Sequence, residues 1–181
     1  ISKREVYQAW LKVKANRGQG GVDGVSLEEF ENRLSKNLYK LWNRMSSGSY
    51  FPQAVRRVEI AKKDGKKRPL GIPTVNDRIA QEVVRARLEP ELEPKFVTDS
   101  YGFRPGKSAL DAVAVCRERS WELNWVLDVD IEKFFDTLDH AHLRELLRRR
   151  VLDGVLTRLI GKWLKAGVME DGSISYPEAG S

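Results

Sequence analysis

Residues 125–140 read WVLDVDIEKFFDTLDH, and the rest of the chain is best understood outward from them. The segment NWVLDVDI (124–131) sets branched apolar residues between acids, the pattern of a short strand. Asp128 and Asp130 stand two apart, so on a strand their carboxylates share one face. A carboxylate at a strand end is a hard oxygen ligand suited to magnesium, and a pair of such ions serves phosphoryl transfer. Holding both ions takes a second carboxylate cluster, and nothing downstream supplies an obvious one. On spacing alone, a solvated strand end followed by helix-capping acids explains the same residues more simply.

Helices are expected on both sides. Ser2 with Glu5 and Ser26 with Glu29 form capping boxes. Val6, Ala9, Trp10 and Val13 follow the first at helical spacing; Leu27, Phe30, Leu34, Leu38, Leu41 and Met45 line one long helix after the second. The glycine-rich NRGQGGVDG (16–24) separates the two, and SSGSYFP (46–52) ends the long one. Asn76 is placed to cap a helix carrying Ile79, Val83, Val84 and Leu88, with Pro90 and Pro94 closing it. Ser108 and Asp111 cap a helix whose apolar face would bury Cys116. Asp139 opens a helix reaching Arg150, and Asp153 one reaching Lys165. VMEDGSISY (168–176) reads as an Asp-Gly hairpin. Helices interspersed with hairpins and one central strand make the class α+β.

Composition excludes several functions. The chain has 181 residues, 41% hydrophobic and 32% charged, enough for a packed core. A single cysteine rules out an internal disulfide framework and a cysteine-based zinc site. The start, ISKREVYQAW, lacks the apolar stretch of a signal peptide, and no apolar run is long enough to span a bilayer. A cytoplasmic setting, in a bacterium or an organelle, is expected, with no membrane partner. The net charge of +6 is unevenly spread: residues 1–70 hold 16 Lys+Arg against 7 Asp+Glu, the remainder 16 against 19. A polyanion would meet mainly the first part.

Residues 55–72 carry much of that charge and read as a β-hairpin turning at KKDGKK (62–67). Lys62 and Arg68 stand on opposite strands of it, where their side chains can converge on a triphosphate. An edge hairpin whose lysines discourage aggregation would look the same. In SYGFRPGKSALDAV (100–113), an aromatic–arginine–glycine turn leads into a capped helix, a place for a nucleic-acid backbone to rest. Taken alone, this motif is more often a structural turn. His140 follows Asp139 at a predicted helix start, where capping and surface placement are expected rather than a catalytic pair.

Together the segments carry more. VRRVEIAKKDGKKRPLGIPTVNDRIAQEVV (55–84), SYGFRPGKSALDAV and WVLDVDIEKFFDTLDH resemble, in order, the blocks of group II intron-encoded reverse transcriptases, and GVDGVSLEEF (21–30) looks like that family's N-terminal block. The resemblance implies the fingers and partial palm of a right-hand polymerase. It divides the chain into a helical extension of the fingers (1–50), fingers with the basic hairpin (51–122), and the start of the palm (123–181). The implied activity is DNA synthesis on an RNA template, with two magnesium ions, deoxynucleoside triphosphates, primer and template, and assistance to splicing and mobility of a group II intron RNA.

Residue by residue, Asp130 opens the family's DIxxFFD pattern and is the implied catalytic metal ligand; Ile131 would offer its carbonyl to a metal. Phe135 matches the aromatic residue beneath the sugar, which excludes a 2′-hydroxyl. Lys62 and Arg68 match the grip on the incoming triphosphate, and Arg56, Arg57, Lys63 and Arg104 the nucleic-acid surface. Asp128 lies outside the pattern and is expected to be structural.

The family's Tyr-x-Asp-Asp and Pro-Gln-Gly blocks do not occur among these residues, and the chain reaches YPEAGS (176–181) where the latter would be expected to begin. Thumb and splicing-domain sequences are missing too. The resemblance therefore implies a truncated piece, inactive alone, and a dimer joined through an uncovered palm face is one state open to it. Two alternatives remain: an RNA-binding maturase module without synthesis, and a retron-type or CRISPR-associated reverse transcriptase.

Overall fold

The computed structural model describes residues 1–61, 65, 67–176 and 178–180, with Arg68 described by its backbone only. Three helices begin the chain: α1 (Lys3–Asn16), α2 (Leu27–Glu31) and α3 (Leu34–Ser47). The capping boxes of α1 and α2 form as the sequence predicts, each Ser accepting from the third residue's N–H and each Glu from the Ser N–H. The one long helix expected after Ser26 is instead two. It breaks at Asn32 and Arg33, where the Phe30 carbonyl accepts from the Arg33 N–H at 3.4 Å and from the Asn37 side-chain amide at 2.9 Å. The break lets Phe30 turn onto Trp10, their ring centroids 5.2 Å apart, while Leu41 and Met45 enter the core from a different direction.

The basic hairpin forms, with β1 (Val55–Ala61) antiparallel to β2 (Lys67–Ile72) and Ile60 opposite Arg68. Then α4 (Val75–Leu92) crosses the core, burying Ile79, Ala80, Val83 and Val84 against α1. Its cap is Thr74 rather than Asn76, because the Thr74 hydroxyl reaches the Asp77 N–H at 3.1 Å. It also runs past Pro90, whose missing N–H removes one bond in the last turn only; Pro94 lies in the 3₁₀ turn Glu93–Lys95 that follows.

Helix α5 (Ala109–Arg119) forms on its capping box but buries nothing. Cys116 is therefore exposed, contrary to the apolar face the sequence suggested, since no described element packs over it. Asp139 and Asp153 cap α6 (His140–Arg150) and α7 (Gly154–Trp163). The second hairpin, β3 (Val168–Glu170) and β4 (Ser173–Ser175), turns at Asp171 and Gly172, both with positive φ as a primed turn requires. Strand β3 pairs parallel to β1, giving one sheet of order β2-β1-β3-β4. Among the described residues no helix is long and apolar enough to cross a membrane.

Candidate active site and nucleic-acid surface

The expected strand at 124–131 is absent. This stretch is exposed chain with no ladder partner among the described residues, and Val126, Leu127 and Val129 face water. A strand is defined by its neighbour, and apolar alternation without one leaves only a propensity. Asp130 and Ile131, the latter 67% exposed, therefore stand on an open segment, and so does Asp128. Among the described residues no group of three or more His, Cys, Asp or Glu is arranged to hold a metal ion.

The turn that follows is ordered by the backbone. Lys133 takes a positive φ, and its carbonyl accepts from the N–H groups of Asp136 and Thr137 and from the Thr137 hydroxyl, each at 3.0 Å. Phe134 and Phe135 project from this turn edge to face, 5.3 Å between centroids, with Phe135 61% exposed. The end of the chain closes over the turn's far side: the Gly180 N–H donates to the Leu138 carbonyl, and the His140 ring bonds the Gly180 carbonyl at 2.6 Å. His140 is thus buried, not at the surface as expected, while Asp139 does cap α6.

On the hairpin, Arg57 pairs with Glu170 at 2.9 Å and so ties β1 to β3. Arg56 donates to the Gln19 side chain at 3.1 Å, and its Nε is buried without a partner among the described residues. Lys62, Lys63 and the Arg68 side chain lie outside the described residues, so the expected convergence of Lys62 and Arg68 does too.

Arg104 is held inward. It donates to Glu93 through Nε and Nη2 at 3.0 and 2.7 Å, and through Nη1 to the carbonyls of Val97 and Ser100 at 2.7 and 2.8 Å. Its guanidinium also lies 5.2 Å from the Phe96 ring centroid. Four of its N–H groups are spent shaping the 93–104 turn, so the expected outward reach to nucleic acid is not what this geometry offers.

Three arrangements have no plain sequence signal. Arg78 donates to the carbonyls of Arg17 and Gln19 at 3.0 and 3.1 Å, clamping the glycine-rich loop onto α4. Gly21 is required there, because a Cβ would fall 2.6 Å from the Thr74 nitrogen. Arg87 forks Glu5 at 2.6 and 3.1 Å and reaches Asp153 at 3.2 Å, joining α1, α4 and the start of α7. That guanidinium holds the Glu5 carboxyl at about 2. Buried Asp77 accepts from Thr74 at 2.6 Å and from the Tyr50 hydroxyl, whose pKa burial and the Asp77 charge push well above the usual phenol range. Only the Thr-x-x-Asp spacing hinted at the last of these.

The family described as reverse transcriptase (RNA-dependent DNA polymerase) matches residues 60–180, two thirds of the chain and the whole of the Asp130 turn. The chain belongs to the reverse transcriptase family. Within it, the likeness runs to group II intron-encoded proteins. The segment is 37% identical over 166 residues to the group II intron-encoded protein LtrA of Lactococcus lactis subsp. cremoris, covering 91% of this chain and 28% of LtrA. It is 39% identical over 157 residues to protein YkfC of Escherichia coli (strain K12), 84% of this chain and 41% of that one. The chain thus spans less than half the length of these curated relatives. Among solved structures, a partial Cas6-RT-Cas1–Cas2 complex superposes over 99% of this chain and 30% of its own, with a TM-score of 0.60 at 21% identity. The reverse transcriptase fold here is α+β, the fingers and partial palm of a right-hand polymerase.

Proposed function

We infer that the protein is an RNA-directed DNA polymerase of group II intron type, extending a primer with deoxynucleotides on an RNA template and assisting the splicing and mobility of its intron RNA. The observation that carries this reading is the family's block order along the chain, ending in Asp130 and the exposed aromatic pair of the 133–137 turn. Residues 1–50 would be the helical extension of the fingers, 51–122 the fingers with the basic hairpin, and 123–181 the start of the palm.

The Asp130 carboxylate and the Ile131 carbonyl suit magnesium in kind, being hard oxygens, but one carboxylate is too few for a pair of ions. When bound, such ions would activate the attacking hydroxyl and stabilise the leaving oxygen. The chain's own part is to present these oxygens on an open segment and to place Phe135 five residues on, under the sugar. Lys62 and Arg68 would grip the triphosphate; Arg56, Arg57 and Lys63 would neutralise template phosphates, with Arg104 fixing the neighbouring wall from within. A location in the cytoplasm or an organelle interior goes with these substrates.

The test is Asp130→Ala in the intact protein. Incorporation should vanish while RNA affinity stays near that of the parent, and retained synthesis would overturn the assignment. The charge imbalance of residues 1–70 favours one second reading, support of splicing by RNA binding without synthesis. Under it, affinity would fall steeply with salt and the Asp130 variant would lose nothing.

A further inference from the structure

The turn that carries Phe135 is held from two sides. On one side the Lys133 carbonyl gathers the Asp136 and Thr137 N–H groups and the Thr137 hydroxyl. On the other lies Gly180, bound in both directions by its own backbone. Its N–H donates to the Leu138 carbonyl at 3.0 Å, and its carbonyl accepts from His140 Nε2 at 2.6 Å. A carbonyl only accepts, so Nε2 carries the ring proton.

The fit is closer than these two bonds require. Gly180 has a φ of +90°, and a Cβ there would fall 2.9 and 3.1 Å from the Asp136 and Phe135 carbonyl oxygens. Handedness and space therefore both demand glycine. Gly180 is buried, and His140 is 8% exposed.

His140 is itself fixed. It is the first residue of α6, whose cap at Asp139 accepts from the His142 N–H at 2.6 Å. Arg144 Nε returns to the His140 carbonyl at 3.0 Å. The imidazole is thus a strut from a capped helix start, through Gly180, to the backbone beneath Phe135. A leucine would fill similar space, but it would leave the Gly180 carbonyl without this donor.

The Phe135 ring needs such support. It is 61% exposed and stands edge to face with Phe134, which is also exposed. Burial does not decide where this ring sits, so the backbone of its turn must. A group that refuses one hydroxyl works by distance, and a shift on the order of 1 Å is enough to undo such positioning.

We propose that His140 and Gly180 are positioning residues for nucleotide selection, holding the 133–137 turn where Phe135 excludes the 2′-hydroxyl of a ribonucleoside triphosphate. The inference rests on the sugar-excluding role proposed for Phe135. Neither residue touches the nucleotide; both act through the turn.

The test is single-nucleotide incorporation by the intact protein on an RNA template, with kcat/KM measured for a deoxynucleotide and its ribonucleotide. His140→Leu should lower the deoxy-to-ribo ratio about 5- to 10-fold, the size of one lost hydrogen bond. His140→Gln, whose side-chain amide is again a donor, should restore most of the ratio. Gly180→Ala should lower it in the same direction. His140→Leu combined with Phe135→Val should discriminate no worse than Phe135→Val alone, because the strut acts through that ring. The ratio is independent of how much enzyme is folded, so a purely structural His140 would depress both nucleotides alike and leave it unchanged. An unchanged ratio in His140→Leu, beside a lowered one in Phe135→Val, overturns the positioning role alone, as do additive losses in the double variant. An unchanged ratio in Phe135→Val overturns the sugar-excluding reading and this inference with it.

Discussion

Replacing Glu5 by glutamine removes one charge from the point where α1, α4 and the start of α7 meet, and little else. Glutamine can still accept from the Ser2 N–H, as Glu5 does at 2.6 Å, so the capping box survives. What goes is the fork to Arg87. Glu5 falls from 4.5 to about 2 in the folded chain, chiefly through its hydrogen bonds to Arg87. At about 1.4 kcal/mol per pKa unit this sets a ceiling of about 3 kcal/mol. The Glu5 side chain is 35% exposed, and water screens such a pair, so about 1–2 kcal/mol is expected. The sign follows from linkage. A carboxyl more acidic in the folded state stabilises fully above its unfolded value, and that contribution disappears as pH falls from about 4.5 to about 2. Urea titrations of parent and Glu5→Gln across this range should give two curves about 1–2 kcal/mol apart near neutrality that converge in acid. A gap that stays constant with pH would show that packing, not charge, carries the contact.

Trp10→Ala should cost about 3–5 kcal/mol in the same titration, since Trp10 is 1% exposed and stacked on Phe30; a loss under about 1 kcal/mol would refute its central place. Arg104→Lys keeps the charge and loses the fork, so it should destabilise by about 1–3 kcal/mol with RNA affinity little changed. The reverse outcome would return Arg104 to the nucleic-acid surface. Phe135→Val in the intact protein should let ribonucleotides be incorporated beside deoxynucleotides, measured by competition, and unchanged discrimination would remove the sugar-excluding role.

The elements legible in the sequence are those held by local chemistry. Ser2, Ser26 and Ser108 cap as their spacing predicts, the Asp171-Gly172 turn closes its hairpin, and the buried stripe of α1 is the one read from periodicity. Errors arise where a residue answers to something distant in sequence. Periodicity continues across Asn32, so nothing local showed that Asn37 would satisfy the Phe30 carbonyl and split the helix. Cys116 sits in an apolar pattern as good as that of α1, yet a pattern does not supply the element that buries it. The Arg87 junction joins residues 5, 87 and 153, and no window of sequence contains it.

The same reasoning bears on Asp130. The segment 124–131 has the composition of a strand and the exposure of a loop. Ordering each of its residues costs about 1–2 kcal/mol, and each branched side chain buried returns about 1.5–3 kcal/mol, so the two nearly cancel without hydrogen bonds. Only a neighbouring strand supplies both a ladder and an apolar face, and that pairing would tip the balance. Pairing would also fix which side of the sheet Asp130 faces, because one step of register turns every side chain over. The proposed role of this carboxylate as a metal ligand would therefore be a property of the paired strand rather than of the DIxxFFD segment. The 133–137 turn and the cap at Asp139 are already ordered, so pairing upstream needs to position only the few residues that end at Asp130.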